Sequence, residues 1–293
     1  MAIAALRGSI PFPAVHRFIR IPLSGIAFLF FYGGLQVIAW ILLPLERRRL
    51  RELPADEAQA QLDDFFVRAY RVSVDVMATL GLMRYELPSP EAIAALPPGP
   101  KVVVANHPSL IDVLFIKACM PGVVVLVKSA LYRSGAMRRV FEASGDFKGP
   151  EAEEQRFGVT AVLDIFVDRL RSGRSVLVFP EGTRSPAWRL RRFRRGAAEA
   201  AVRAGVPIVP MFILSDPPVL KKGDKWYDMP ERVPLFRVEL LDVIETAGRD
   251  SRSITAEIRD LLAERLEAAR EHARARHRRE QGQDEAEPEP SSE

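Results

Sequence analysis

Cysteine is almost missing from this 293-residue chain, Cys119 being the only one. That excludes a disulfide framework and a cysteine-based zinc site, and it suits a reducing compartment. Histidine is scarce as well, with four residues at positions 16, 107, 272 and 277. There is no HExxH pair and no second histidine near His107, so no metal site is legible. GxGxxG is absent, as is GxxxxGK followed by Ser or Thr, which leaves nucleotide-binding α/β architectures without support. No GxSxG elbow marks a serine acyl-enzyme, although Ser109 lies close to His107. Net charge is only +4, so local clusters say more than the sum.

Charge is missing from one long stretch. Residues 21–43 contain no Asp, Glu, Lys, Arg or His. As a helix the run would reach ~34 Å, against the ~30 Å hydrocarbon core of a bilayer. Trp40 and then Arg47, Arg48, Arg49 and Arg51 follow, an interface aromatic and a basic flank. The run is too long for a signal-peptide core, and no small-x-small site follows it. Residues 1–54 therefore read as a membrane-anchoring segment, with the bulk of the protein on the cytoplasmic face. Gly33-Gly34 divides the run, and Arg7, Arg17 and Arg20 make its other flank basic too. A crossing helix and a helical hairpin dipping into one leaflet both fit, and a buried core helix is the plainer alternative.

After Pro54, residues 55–87 read as one amphipathic helix, with Leu62, Phe65, Phe66, Ala69, Tyr70, Ser73, Val74 and Met77 at three- and four-residue steps. Such a helix packs on a core, lies on a membrane surface, or does both. Prolines at 88, 90, 97, 98 and 100 mark the boundary of a globular domain spanning 88–250. Within it apolar strands at 102–105, 123–127, 175–179, 208–214 and 235–240 alternate with helical stretches at 109–119, 135–143, 155–170 and 196–204. This pattern predicts an α/β fold, a mixed, mostly parallel sheet covered by helices. Residues 251–280 form a charged helix, and 281–293 a polar, acidic tail expected to be disordered.

Two strand ends carry the chemistry. The first strand hands over Asn106 and His107, with Pro108 placed to open a helix and Asp112 about one turn further in. A carboxylate there would fix the imidazole tautomer and stabilise the imidazolium, leaving the second nitrogen as a base. Taken alone, a His-x4-Asp pair is more often a capping or surface feature. The second strand end, residues 179–185, reads Phe-Pro-Glu-Gly-Thr-Arg-Ser. If the strands are parallel, both loops open on the edge where α/β sheets bind ligands. Glu181, Thr183 and Arg184 would then face the pocket of His107. Gly182 permits close backbone approach, and Arg184 offers a planar fork for phosphate. The plainer reading is a turn with a solvated arginine. Six arginines fall between 184 and 195 without one acid, with Trp188 and Phe193 interleaved. Nucleic acid, an anionic membrane or a substrate phosphate would each suit that run, and the apolar segment favours lipid.

Residues 106–112, Asn-His-Pro-Ser-Leu-Ile-Asp, resemble the NHx4D motif of the PlsC-like glycerolipid acyltransferases, typified by 1-acylglycerol-3-phosphate acyltransferase. Residues 179–185 resemble their FPEGTRS motif, 190–197 the block that follows it, and Val206-Pro-Ile-Val-Pro210 their fourth block. The resemblance implies transfer of a fatty acyl group from acyl-CoA or acyl carrier protein to a hydroxyl of a lysophospholipid. It implies His107 as general base, Asp112 as its orienter, and direct attack on the thioester without a covalent intermediate. Asn106, Ser109, Glu181, Gly182, Thr183 and Arg184 are the substrate-binding set it implies. Neither cofactor, metal nor nucleic acid is expected; the partners are membrane lipid and the acyl donor. One block departs: Asp146 and Lys148 stand where the family has apolar residues and an arginine, with Lys148 or Arg156 as the replacement. That departure leaves the acceptor open between a lysophospholipid and a lyso-aminolipid or specialised metabolite. A non-catalytic binder of anionic lipid or nucleic acid is the alternative of another class, and the intact His107, Asp112 and Glu181 argue against it.

Overall fold

The computed structural model describes residues 17–149 and 159–280. Arg7, His16, Arg156, the acidic residues at 151, 153 and 154, and the tail 281–293 lie outside them. The described chain opens with α1 (Arg17–Val37), which runs through one π-helical turn (Ile38–Leu42) into α2 (Leu43–Leu50). The wide turn is closed by the Leu43 N–H donating to the Ile38 carbonyl. Pro44, which has no N–H to offer Trp40, lies just beyond it. Gly33 and Gly34 sit inside α1 without interrupting it, so the helical hairpin does not form.

The faces of this helix are inverted relative to a soluble one. Its buried stripe holds Arg20, Ser24, Ala27, Leu35, Ala39 and Leu43, whereas Phe18, Ile19, Ile26, Leu29, Trp40, Ile41 and Leu45 are exposed. Small residues on the inner stripe let the helix lie close to the domain, and it is tied at both ends. Arg20 Nη2 donates to the Pro230 carbonyl at 2.6 Å and to that of Glu231, and Nη1 to that of Arg232 at 3.3 Å. Further along, Leu35, Ala39 and Leu43 pack with Phe66, Ala136, Val140 and Ala143. The helix therefore lies along the domain instead of projecting from it.

α3 (Ala55–Thr79) ends earlier than the predicted 87. Gly81 takes a positive φ of 70°, and the chain emerges as a strand, β1 (Arg84–Glu86). α3 packs on the domain through Phe66 and Val74, and Arg174 donates to both oxygens of Asp63 at 2.5 and 2.9 Å. The proline-rich joint is itself structured as α4 (Pro90–Ala94), with Pro90 in the first turn and the Ser89 hydroxyl accepting from Ala92 N–H at 3.1 Å. There follow β2 (Val102–Ala105), α5 (Asp112–Lys117), β3 (Val123–Val127), a 3₁₀ turn (Ser129–Arg133), α6 (Gly135–Ser144) and β4 (Phe147–Lys148). Then come α7 (Val159–Arg171), β5 (Ser175–Val178), α8 (Gly196–Ala204), β6 (Ile208–Asp216), β7 (Leu235–Leu240) and α9 (Ser251–Glu280).

The seven strands lie in the order β1-β7-β6-β2-β5-β3-β4. Among the described residues only β6 and β7 pair antiparallel; the other neighbours are parallel, as the sequence predicts. Alternation of side chains splits the core into two layers. Val102, Val104, Val176, Ile208 and Phe212 face α7, α8 and α9, while Val103, Ala105, Leu177, Val209 and Met211 face α3 and α5. β2, fully buried between two parallel partners, carries its C-terminal end to the middle of one sheet edge.

Candidate active site

At that end a side chain continues the sheet after the main chain has left it. Asn106 Nδ2 donates to the Ile213 carbonyl at 2.8 Å, and its Oδ1 accepts from Ile213 N–H at 2.7 Å. The amide thus mimics a peptide group of β2 against β6. His107 comes next, and its main chain is clamped from the β5 side. Its N–H donates to Glu181 Oε1 at 3.0 Å, and its carbonyl accepts from Ser185 N–H at 2.8 Å.

The imidazole is held on two sides. Nδ1 lies 2.7 Å from Asp112 Oδ2, and the ring stacks on Phe179 with centroids 4.2 Å apart and planes 19° from parallel. The Ser109 N–H donates to the same Oδ2 at 2.8 Å. An acceptor that already takes one N–H places the shared proton on Nδ1, which leaves a lone pair on Nε2. Asp112 is completely buried. Burial pushes its carboxyl upward, against the opposing pull of the His107 and Ser109 hydrogen bonds. The helix begins at Asp112 itself, not at Pro108 as predicted. The intervening residues form a turn in which the Ser109 hydroxyl accepts from Ile111 N–H at 3.1 Å. Ser109 is thereby a buried turn residue, where a substrate-binding one was expected.

Glu181 is placed differently from its expected role. Both its oxygens are turned inward: Oε1 to His107 N–H, and Oε2 to Arg191 N–H at 2.7 Å and to the Ser185 hydroxyl. Burial pushes this carboxyl up as well, while the N–H groups of Arg191 and His107 pull it down. Arg184 is likewise engaged by protein, its Nη1 donating to the carbonyls of Leu220 and Lys221 at 2.7 and 2.8 Å. Gly182 has φ 69°, and a Cβ there would meet Arg194 Cζ at 3.2 Å, so its close neighbour is this chain's own guanidinium. Thr183 is half-buried beside it.

One end of β2 and β5 therefore gathers Asn106, His107, Ser109, Asp112, Glu181, Gly182, Thr183 and Arg184. Lys148 does not join them. It lies on β4, with β5 and β3 between it and β2, a lateral distance of ~14 Å. Lys128, the exposed residue directly after β3, is one strand nearer to β2 than Lys148 is. Phe179, Ser185 and Arg191 are further supports that only their contacts reveal. A shallow open cleft adjoins the loops, walled by Asn106, Pro108, Ser185, Trp188, Leu190 and Leu266 among others, and His107 is not in its walls.

Residues 90–214 match the Acyltransferase family model. Among curated proteins, human 1-acyl-sn-glycerol-3-phosphate acyltransferase beta is 26% identical over 175 residues, covering 59% of this chain and 60% of that protein. The 1-acyl-sn-glycerol-3-phosphate acyltransferase of Borreliella burgdorferi is 26% identical over 167 residues, covering 57% and 66%. The crystal structure of PlsC, the 1-acyl-sn-glycerophosphate acyltransferase of Thermotoga maritima, superposes with a TM-score of 0.66 at 20% identity, over 87% of this chain and 98% of that one. Over residues 90–214 this chain is similar in sequence to the acyltransferases, and it shares the fold of PlsC. The PlsC-like chain spans about three fifths of the length of the first curated relatives it matches, 60% and 62%.

The departure of this PlsC-like chain in its second block has a structural reason. Asp146 is buried with Lys117 Nζ 2.7 Å from each of its oxygens, and it also accepts from Val125 N–H at 2.8 Å and the Ser144 hydroxyl at 2.7 Å. The residue ties α5 to β3 and the end of α6. It takes no position among the groups around His107.

Proposed function

We propose that this chain transfers a fatty acyl group from acyl-CoA or acyl carrier protein to the hydroxyl of a lysophospholipid at a membrane surface. The acceptor is 1-acylglycerol-3-phosphate, the lipid in the names of its relatives. The observation that carries the reading is the His107–Asp112 pair, 2.7 Å apart at the open edge of the sheet. Nε2 takes the acceptor's hydroxyl proton as its oxygen attacks the thioester carbonyl. Asp112 stabilises the imidazolium so formed. Collapse of the tetrahedral adduct breaks the C–S bond, and the imidazolium returns the proton to the leaving sulfur. Glu181, Ser185 and Phe179 hold the base in place, which is preorganisation instead of substrate contact.

The inverted helix supports membrane attachment. Arg20 and Leu43, both buried against the domain, are ~35 Å apart along the helix, too long a docked segment to stand across a bilayer with the domain outside. Its exposed apolar face lies in one leaflet, with the domain on the cytoplasmic side. Membranes carrying the wild type or His107→Ala, given labelled acyl-CoA or acyl carrier protein and a panel of lysolipids and lyso-aminolipids, test the proposal. Loss of transfer by about 10²–10⁴-fold is expected, with membrane association kept. Full activity without His107 would overturn the mechanism. A second reading, a lyso-aminolipid or specialised metabolite as acceptor, draws on the engagement of Arg184 by Leu220 and Lys221, and the same panel separates the two.

A further inference from the structure

The connection between β6 and β7 carries two large aromatic side chains with no partner of their own in the core. Trp226 and Tyr227 are 45% and 39% exposed. Their surroundings join them to the outer face of α1. Trp226 meets Phe28 edge-on with centroids 6.2 Å apart, Phe28 stacks on Tyr32 at 6.4 Å, and Tyr32 meets Phe31 at 5.6 Å. Gly25 makes room for the indole: a Cβ there would already touch Trp226 at 3.4 Å. Ser24 Oγ reaches the Trp226 carbonyl at 3.4 Å, and Arg20 holds the carbonyls of Pro230, Glu231 and Arg232. The row of rings thus continues sideways from the apolar stripe of the helix.

We infer that Trp226 and Tyr227 form a second membrane contact, seated in the headgroup layer of the leaflet that receives the outer face of α1. The inference rests on the proposed membrane attachment of that helix. Aromatic rings with one polar atom belong at the boundary between hydrocarbon and water. Lys225 Nζ, 5.3 Å over the Tyr227 ring, supplies a cation at the same level for lipid phosphate. The two acids flanking the rings bond to the segment's own main chain: Asp224 Oδ2 accepts from Lys221 N–H at 3.0 Å, and Asp228 Oδ2 from Lys225 N–H at 2.8 Å. The foot of the connection is fixed to both catalytic loops. The Leu220 carbonyl accepts from Leu110 N–H at 3.1 Å and from Arg184, and Leu220 itself holds a positive φ of 52°. Seating the two rings therefore sets how the sheet edge bearing His107 faces the lipid.

The test uses the full chain in vesicles of mixed neutral and anionic phospholipid. Trp40→Phe with Trp188→Phe leaves Trp226 as the only tryptophan. Lipids brominated high on the acyl chain are expected to remove roughly half or more of its emission, and aqueous iodide little, as for an interface ring. Should that variant fail to fold, a nitroxide on Tyr227→Cys reads the same depth by oxygen and nickel-chelate accessibility. Cys119 competes little, being half-buried with its thiol pushed up to about 12. A label at 227 open to the aqueous reagent, or shielded from both as in a protein contact, overturns the inference. A companion label at Leu29→Cys, on the outer face of α1, separates the causes. Lipid exposure at 29 but not at 227 overturns the loop contact alone; exposure at neither overturns the membrane reading beneath it. Acyl transfer by the unaltered chain is scored independently of both.

Discussion

Replacing Asp112 by Asn should cost activity while leaving stability nearly unchanged, and the structure sets both sizes. The isosteric amide keeps an oxygen at the Oδ2 position, where it still accepts from Ser109 N–H and from His107 Nδ1, at 2.8 and 2.7 Å in the wild type. What it loses is the charge facing the imidazolium. At 2.7 Å and an effective dielectric of ~20, that pairing is worth about 6 kcal/mol at most. The proton is only partly transferred in the transition state, so about 3–5 kcal/mol reaches the barrier, a fall of roughly 10²–10⁴ in kcat. Stability behaves otherwise. Burial pushes the Asp112 carboxyl upward, so an uncharged side chain relieves a desolvation penalty. Against this, the new NH₂ occupies the position of Oδ1, which has no hydrogen-bond partner among the described residues. The two effects nearly cancel, and unfolding free energy should stay within about 1.5 kcal/mol of wild type. Urea unfolding in detergent and acyl transfer on the same preparation measure the pair. Retention of a tenth or more of the activity (roughly one decade, ~1.4 kcal/mol) alongside an inactive His107→Ala would refute the orienting role. A loss of stability beyond about 4 kcal/mol would instead make Asp112 a structural residue.

Glu181→Gln should lower stability by about 1–3 kcal/mol, because an amide cannot accept at both ends and leaves one N–H facing its NH₂. The burial that raises the Glu181 carboxyl favours its protonated form in the fold. Its contribution is complete below the unfolded value of ~4.3 and is lost as pH rises through the folded one, by up to ~1.4 kcal/mol per pH unit. The difference in unfolding free energy between wild type and Glu181→Gln should therefore vary with pH above ~4.3, and a flat difference from pH 4 to 7 would contradict this. Arg184→Ala removes both bonds to the Leu220 and Lys221 carbonyls and should cost about 2–4 kcal/mol of stability. Arg184→Lys, with a single ammonium, should recover part of it. Unchanged stability with only a raised KM for the acceptor would return Arg184 to a purely ligand-binding role.

Much of this molecule is legible in its sequence where the signal is local. β-branched runs mark four of the five inner strands, and the two strand-end motifs locate the histidine and its carboxylate. Parallel pairing of β2 with β5 then brings them to one edge. What the sequence hides depends on distant partners. β1 is three residues long and exists through its pairing with β7, some 150 residues away; before that pairing, those residues read as the end of α3. The inward turn of Glu181 requires the main chain of Arg191 to pass over it, and the engagement of Arg184 requires the carbonyls of Leu220 and Lys221. Residue type foretells that a guanidinium will seek oxygens, but whose oxygens depends on the path of a loop. The inverted helix is hidden for a related reason. A stretch apolar all round shows no preferred face until Arg20, Ser24 and Ala39 find the domain.

The amide of Asn106 has one more consequence. Residues just beyond a strand commonly wander, and ordering them must then be met from the binding energy of whatever docks there. Here the residue before the histidine is bonded twice to Ile213, so the strand pair holds it as firmly as one of its own members. The conformational freedom of His107 is surrendered when the sheet assembles, before any ligand docks. Under the proposed mechanism, an acceptor hydroxyl would meet a nitrogen already at its station, with its binding energy left for transfer. Asn106→Asp, which keeps the acceptor but not the donor, would loosen that station while leaving every atom of the histidine in place.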